Sequence, residues 1–93
     1  MSNYETYKKL KEKYKIAYGS KVWDSYERQW EDIDMDDYDI VIDNAGVGYA
    51  HAKYRVVKNN PNLSSHELAL LCDGGNLCFG YRTEGNIIIV HTD

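Results

Sequence analysis

Proline and phenylalanine occur once each in these 93 residues, and cysteine twice. Each scarcity excludes something. One proline, with no low-complexity tract and no internal repeat, leaves no extended linker and no solenoid. Two cysteines do not build a disulfide framework, and a reducing compartment keeps Cys72 and Cys78 as thiols. No apolar run approaches the roughly 20 residues of a membrane helix. The opening Met-Ser-Asn-Tyr-Glu lacks the basic-then-apolar order of a secretory signal. The expectation is a cytoplasmic protein with no membrane partner. The chain also contains no Gly-Lys-Ser/Thr, no Gly-x-Ser-x-Gly and no Cys-x-x-Cys. Phosphate-loop, serine-hydrolase and close-spaced zinc motifs are therefore absent. The reading is a non-enzyme with no cofactor.

What is present is a spread of apolar and aromatic residues along one domain-sized chain, which argues against disorder. Charge is uneven. Residues 1–23 carry Lys8, Lys9, Lys11, Lys13, Lys15 and Lys21 against Glu5 and Glu12, a balance of +4. Residues 24–43 carry Asp24, Glu27, Glu31, Asp32, Asp34, Asp36, Asp37, Asp39 and Asp43 against Arg28, a balance of −8. The remainder is neutral, and the whole is −4. Charge concentrated in this way steers partners more than it shapes a fold.

Local signals are strongest in 61–93. Ser64 and Glu67 have capping-box spacing, Leu63 is placed as a staple, and Leu68, Leu71 and Cys72 share a helical face. Gly74 and Gly75 supply a left-handed stop. Residues 77–82 and 86–92 read as strands joined through Thr83-Glu84-Gly85. Upstream, Tyr7, Leu10, Tyr14 and Ala17 give 3–18 a helical stripe ending at Gly19. Ser20 caps a second expected helix, 21–31, burying Val22, Trp23, Tyr26 and Trp30. An acidic connector follows, then a β-branched strand at 38–43. Residues 44–48 read as a loop. Residues 49–58 read as a third helix, with a strand as the alternative because Tyr54, Val56 and Val57 suit one.

These elements predict an α+β fold. N-terminal helices pack on a small antiparallel or mixed sheet with a C-terminal helix and hairpin, and strand 87–92 pairs with 38–43. The expected core joins Leu68, Leu71, Phe79, Ile87, Ile89, Trp23 and Trp30.

Asp32-x-Asp34-x-Asp36 with Asp43 at the twelfth position resembles an EF-hand loop. Asp37 stands where the glycine turn belongs, and Asp39 where an apolar residue packs, so calcium is not expected. Gly46-x-Gly48 lacks the third glycine of a dinucleotide turn, which would fall at His51. His51, His66, His91, Cys72 and Cys78 show no ligand spacing, and the thiols read as buried. A winged helix-turn-helix fits the 50–73 helices and the terminal hairpin, but that half is neutral. A small DNA-binding regulator is the alternative reading. In it Lys8, Lys9, Lys11 and Lys15 contact phosphates.

Acidic composition, nine tyrosines and the segment 24–43 resemble the small orphan proteins of bacteriophages and mobile elements. Inhibitors of host defence, anti-CRISPR proteins among them, belong to that class. The resemblance implies an inhibitor or adaptor that occludes a basic, nucleic-acid-binding surface of a host effector, as a mimic of DNA charge. The expected contact residues are Glu27, Glu31, Asp32, Asp34, Asp36, Asp37 and Asp39. Trp30 and Tyr38 serve as anchors, with Trp23 and Tyr26 nearby.

Overall fold

The computed structural model describes residues 2–47, 51–77 and 79–91. Two helices and a mixed five-stranded sheet give an α+β fold, with a two-stranded hairpin standing apart from the sheet.

Helix α1 (Asn3–Lys13) starts at Ser2, whose side chain accepts the Glu5 amide, and it buries Leu10. It stops five residues earlier than the apolar stripe predicts. Tyr14 turns to extended backbone, and the Lys15 amide bonds the Asp39 carboxylate at 2.9 Å instead of continuing the helical ladder. Residues Ile16–Tyr18 then form strand β1. The i, i+3, i+4 stripe runs across this boundary because Tyr7, Leu10 and Tyr14 face the core from α1 and its end, while Ala17 is buried independently from β1.

Strands β2 (Lys21–Asp24) and β3 (Gln29–Asp32) replace the expected second helix. A 3-10 turn at Met35–Asp37 leads to β4 (Ile40–Val47), which runs parallel to β1. Strand β4 continues through most of the expected 44–48 loop. Strand β5 (His51–Asn59) replaces the expected third helix; Ala and Lys favour helix, but this segment is the central strand, paired on both edges. Helix α2 (Ser65–Cys72) has the full reciprocal capping box between Ser64 and Glu67. Strands β6 (Tyr81–Glu84) and β7 (Ile87–His91) form the terminal hairpin.

The sheet order is β1-β4-β5-β7-β6. Thus β5 lies between β7 and β4, and the direct pairing of 87–92 with 38–43 does not occur. The core face carries Ile40, Ile42, Ile88 and Val90 under Leu68, Ala69 and Leu71 of α2, with Leu10 of α1. Helix α1 packs on α2, and α2 packs on β7. Leu68 and Leu71 are buried together in this core as expected. Ile89 is buried outside it, on the other face of β7 from Ile88 and Val90, and Ile87 is half-buried. Phe79, Trp23 and Trp30 are exposed. Phe79 precedes β6 rather than lying in it, and the tryptophans belong to the outlying hairpin.

Candidate partner-binding hairpin

The β2–β3 hairpin pairs Lys21 with Asp32, Val22 with Glu31, Trp23 with Trp30 and Asp24 with Gln29. Directly opposed residues share a face, so both tryptophans project from one side. Their rings meet edge to face, with centroids 5.5 Å apart. Yet Trp23 remains 52% exposed and Trp30 63%. The Lys21–Asp32 ion pair, at 3.0 Å, continues the same face toward the hairpin base. The loop 25–28 is closed by Asp24, whose Oδ1 accepts the Tyr26 and Glu27 amides at 2.9 and 3.1 Å. Arg28 completes it in the left-handed region at φ 56°. Tyr26 at the tip is 91% exposed. A backbone bond from the Ile33 amide to Ser20 closes the hairpin base.

Val22, Trp23, Tyr26 and Trp30 recur at helical spacing, but the same residues also place two tryptophans symmetrically about a four-residue loop that Asp24 can close. That symmetry, together with the Asx turn, was the legible signal for a hairpin.

The expected acidic residues are not equivalent. Glu27 lies in the hairpin loop and Glu31 on the face opposite the tryptophans, where its carboxylate accepts Gln29 Nε2 at 3.1 Å. Asp32 is in the Lys21 ion pair. Asp34 caps the 3-10 turn by accepting the Asp36 amide, and Lys58 Nζ donates to the Met35 carbonyl of that turn. Asp36 and Asp37 are exposed, and their carboxylates make no hydrogen bond or ion pair among the described residues. Asp39 is half-buried and holds the Lys15 amide. Tyr38 is also half-buried, with Lys15 Nζ 5.3 Å from its ring centre. Asp39 and Tyr38 therefore anchor the connector to β1 and β4, and the hairpin carries the exposed aromatics.

The EF-hand resemblance does not survive. Asp32 ends a strand, Asp34 and Asp36 belong to a 3-10 turn, and Asp43 sits in β4, where it accepts the Ser20 hydroxyl at 2.8 Å. Gly46 lies in β4 beside a register shift, and Gly48 is outside the described residues, as is Cys78. Among the described residues no group of three or more His, Cys, Asp or Glu side chains converges as a metal centre. Burial, reinforced by the Asp73 carboxylate, pushes the Cys72 thiol up to about 12, the opposite of an activated nucleophile. A cleft of about 300 Å³ opens between the start of α2 and the β6–β7 turn. Val56, Leu68 and Ile88 line it with neutral Asn59, Ser65 and Thr83, so it holds no acid or base.

Among the described residues no helix is long and apolar enough to cross a membrane. Comparisons with protein-family models, curated proteins and solved structures find no match for this chain.

Proposed function

We propose that the chain is a non-catalytic protein-binding module whose acidic, tryptophan-bearing hairpin docks on a basic protein surface. The observation that carries this reading is the Trp23–Trp30 pair, half or more exposed on a projection that contributes no residue to the core. Ordering two indoles against each other in water gains part of what each would gain in a partner's pocket, and leaves the rest available. Glu27 in the hairpin loop and Glu31 on its other face make the hairpin acidic, and Asp36 and Asp37 lie exposed on the 3-10 turn that follows it. Negative potential of this kind speeds encounter with a cationic partner and selects against acidic ones. A surface of this charge competes with nucleic acid for a basic groove. That supports the finer reading of a bacteriophage inhibitor of a host defence effector, acting in the cytoplasm.

The test is affinity purification from cells that naturally carry the protein. Wild type is compared with Trp23→Ala/Trp30→Ala, and with Glu27→Gln/Glu31→Gln/Asp36→Asn/Asp37→Asn. Both variants should keep the wild-type melting temperature within a few degrees, since none of these side chains is buried. One partner should be retained by wild type and lost from both variants. Identical captured sets from all three proteins would refute the reading.

The nucleic-acid alternative now rests on one observation. Lys8, Lys9, Lys11, Lys13 and Lys15 are all exposed on and just after α1. The winged-helix part of that alternative loses its first helix, because 51–59 is the central strand. A gel shift at low and high salt separates the two, since phosphate contacts weaken steeply with salt.

A further inference from the structure

His51 and His91 lie 40 residues apart, yet β5 and β7 place them directly opposite one another at the end of the sheet. Opposed residues share a face, and the imidazoles meet edge to face with ring centres 4.8 Å apart. Their Nδ1 atoms are 3.2 Å apart, and both side chains are partly buried. No other hydrogen bond or ion pair engages either imidazole among the described residues.

As a hydrogen bond, this contact needs one Nδ1 to carry a proton and the other to be bare. The same two atoms also match a chelate. Imidazole nitrogens bind Zn²⁺ at about 2.0–2.1 Å. Two of them on one ion are then about 2.9–3.4 Å apart, for angles between roughly 90° and the tetrahedral value. The observed separation falls inside that window. The ladder fixes both strands, so little conformational freedom remains to be lost when an ion enters between the two nitrogens and the donor ring moves its proton from Nδ1 to Nε2, leaving both Nδ1 lone pairs for the metal. The geometry points to a two-histidine site for a borderline-soft divalent cation, Zn²⁺ or Cu²⁺, at the His51–His91 end of the sheet, with water completing the shell. The chemistry of the donors excludes Ca²⁺ and Mg²⁺, which require oxygen ligands. The site lies outside the hairpin, so its outcome is independent of the partner-binding reading.

The test titrates untagged full-length protein with Zn²⁺, read by calorimetry and by ¹⁵N imidazole resonances. One ion per chain should bind, shifting the Nδ1 signals of His51 and His91 and leaving those of His66 in place. Because the ligands join strands distant in sequence and are preorganised only when folded, Zn²⁺ should also raise the melting temperature. His51→Ala and His91→Asn should each weaken binding at least tenfold, and His66→Ala should not. The resonances are read on the wild-type chain, so the test stands even if a variant folds poorly. Unshifted His51 and His91 signals at millimolar Zn²⁺, or equal affinity in wild type and a folded His91→Asn variant, would overturn the site.

Discussion

Gly74 and Gly75 follow α2 side by side, both in the left-handed region, yet alanine at the two positions should behave very differently. At Gly74, with φ 61°, an added Cβ meets nothing within 4 Å. Only the backbone conformation is strained, at about 1–2 kcal/mol for a non-glycine residue. At Gly75, with φ 82°, the same strain applies and the site is full. A Cβ there would stand 2.9 Å from Tyr7 Cβ and 3.1 Å from Tyr4 Cα. These are a side-chain root and a backbone atom, so no rotamer change relieves the contact and α1 itself must move. Overpacking of this kind costs about 1–3 kcal/mol. The Gly75 amide also closes the end of α2 by bonding the Leu70 carbonyl at 2.8 Å, so retreat from α1 disturbs the cap. Gly75→Ala should therefore cost about 2–5 kcal/mol and Gly74→Ala about 1–2 kcal/mol. Against a total of about 5–15 kcal/mol the difference is readily measured. Urea unfolding followed by far-ultraviolet circular dichroism gives both numbers from one experiment. Equal destabilisation by the two substitutions would refute the packing of α1 against the end of α2.

Other consequences follow from burial and capping. Leu71 is buried between α2 and the sheet, so Leu71→Ala should cost about 2–5 kcal/mol in the same assay. Ser64 Oγ accepts the Glu67 amide, and Ser64→Ala should cost about 1 kcal/mol without changing the fold seen by NMR. Burial raises the Cys72 thiol, and partial burial of half-exposed Tyr18 raises its phenol, whose hydroxyl donates to the Leu71 carbonyl at 2.8 Å, so the folded chain favours both protonated forms. Above about pH 8.5 the unfolded chain loses the thiol proton, and near pH 10 the phenol proton, while the folded chain keeps both. Stability is thus full below that range and falls as pH rises through it, until Cys72 ionises in the folded state at about 12. Denaturant unfolding between pH 7 and 11 should show this fall, reduced in Cys72→Ala and Tyr18→Phe; a flat profile would contradict the burial of the Cys72 thiol and the Tyr18–Leu71 hydrogen bond.

The elements legible in the sequence were those whose signals are local. Ser64 and Glu67 announce the start of α2 within four residues, and Gly74-Gly75 its end. The apolar Ile87–His91 run and the β-branched start of β4 also carry their own evidence. What was not legible depends on partners distant in sequence. Residues 51–59 mix Ala and Lys, which favour helix, with Tyr54, Val56 and Val57, which suit the strand given as the alternative, and pairing with β4 on one edge and β7 on the other decides for the strand. Ile16–Tyr18 is too short to announce itself, and it forms because Ile40–Ile42 offers a parallel edge. The His51–His91 contact was invisible for the same reason: strand register, not spacing, brings the rings together.

The acidic segment makes the same point about function. Nine carboxylates in 24–43 invite the reading that packing alone would never crowd them. The structure assigns several of them backbone work. Asp24 closes the hairpin loop, Asp34 caps the 3-10 turn, Asp39 ends α1 by taking the Lys15 amide, and Asp43 bonds the Asn44 amide and Ser20. Short acidic side chains suit such turns because they accept nearby amides where the chain leaves regular structure. Part of the charge run is therefore the chemistry of a chain that turns repeatedly between Gly19 and Ile40. Glu27, Asp36 and Asp37 have no such duty. Glu27 lies in the loop of the hairpin whose aromatic pair the fold leaves half in water, Asp36 and Asp37 lie on the 3-10 turn beyond it, and a solvated connector has no need of exposed tryptophans. In the proposed interaction Trp23 and Trp30 are therefore the anchors, while Asp34 and Asp39 serve the fold.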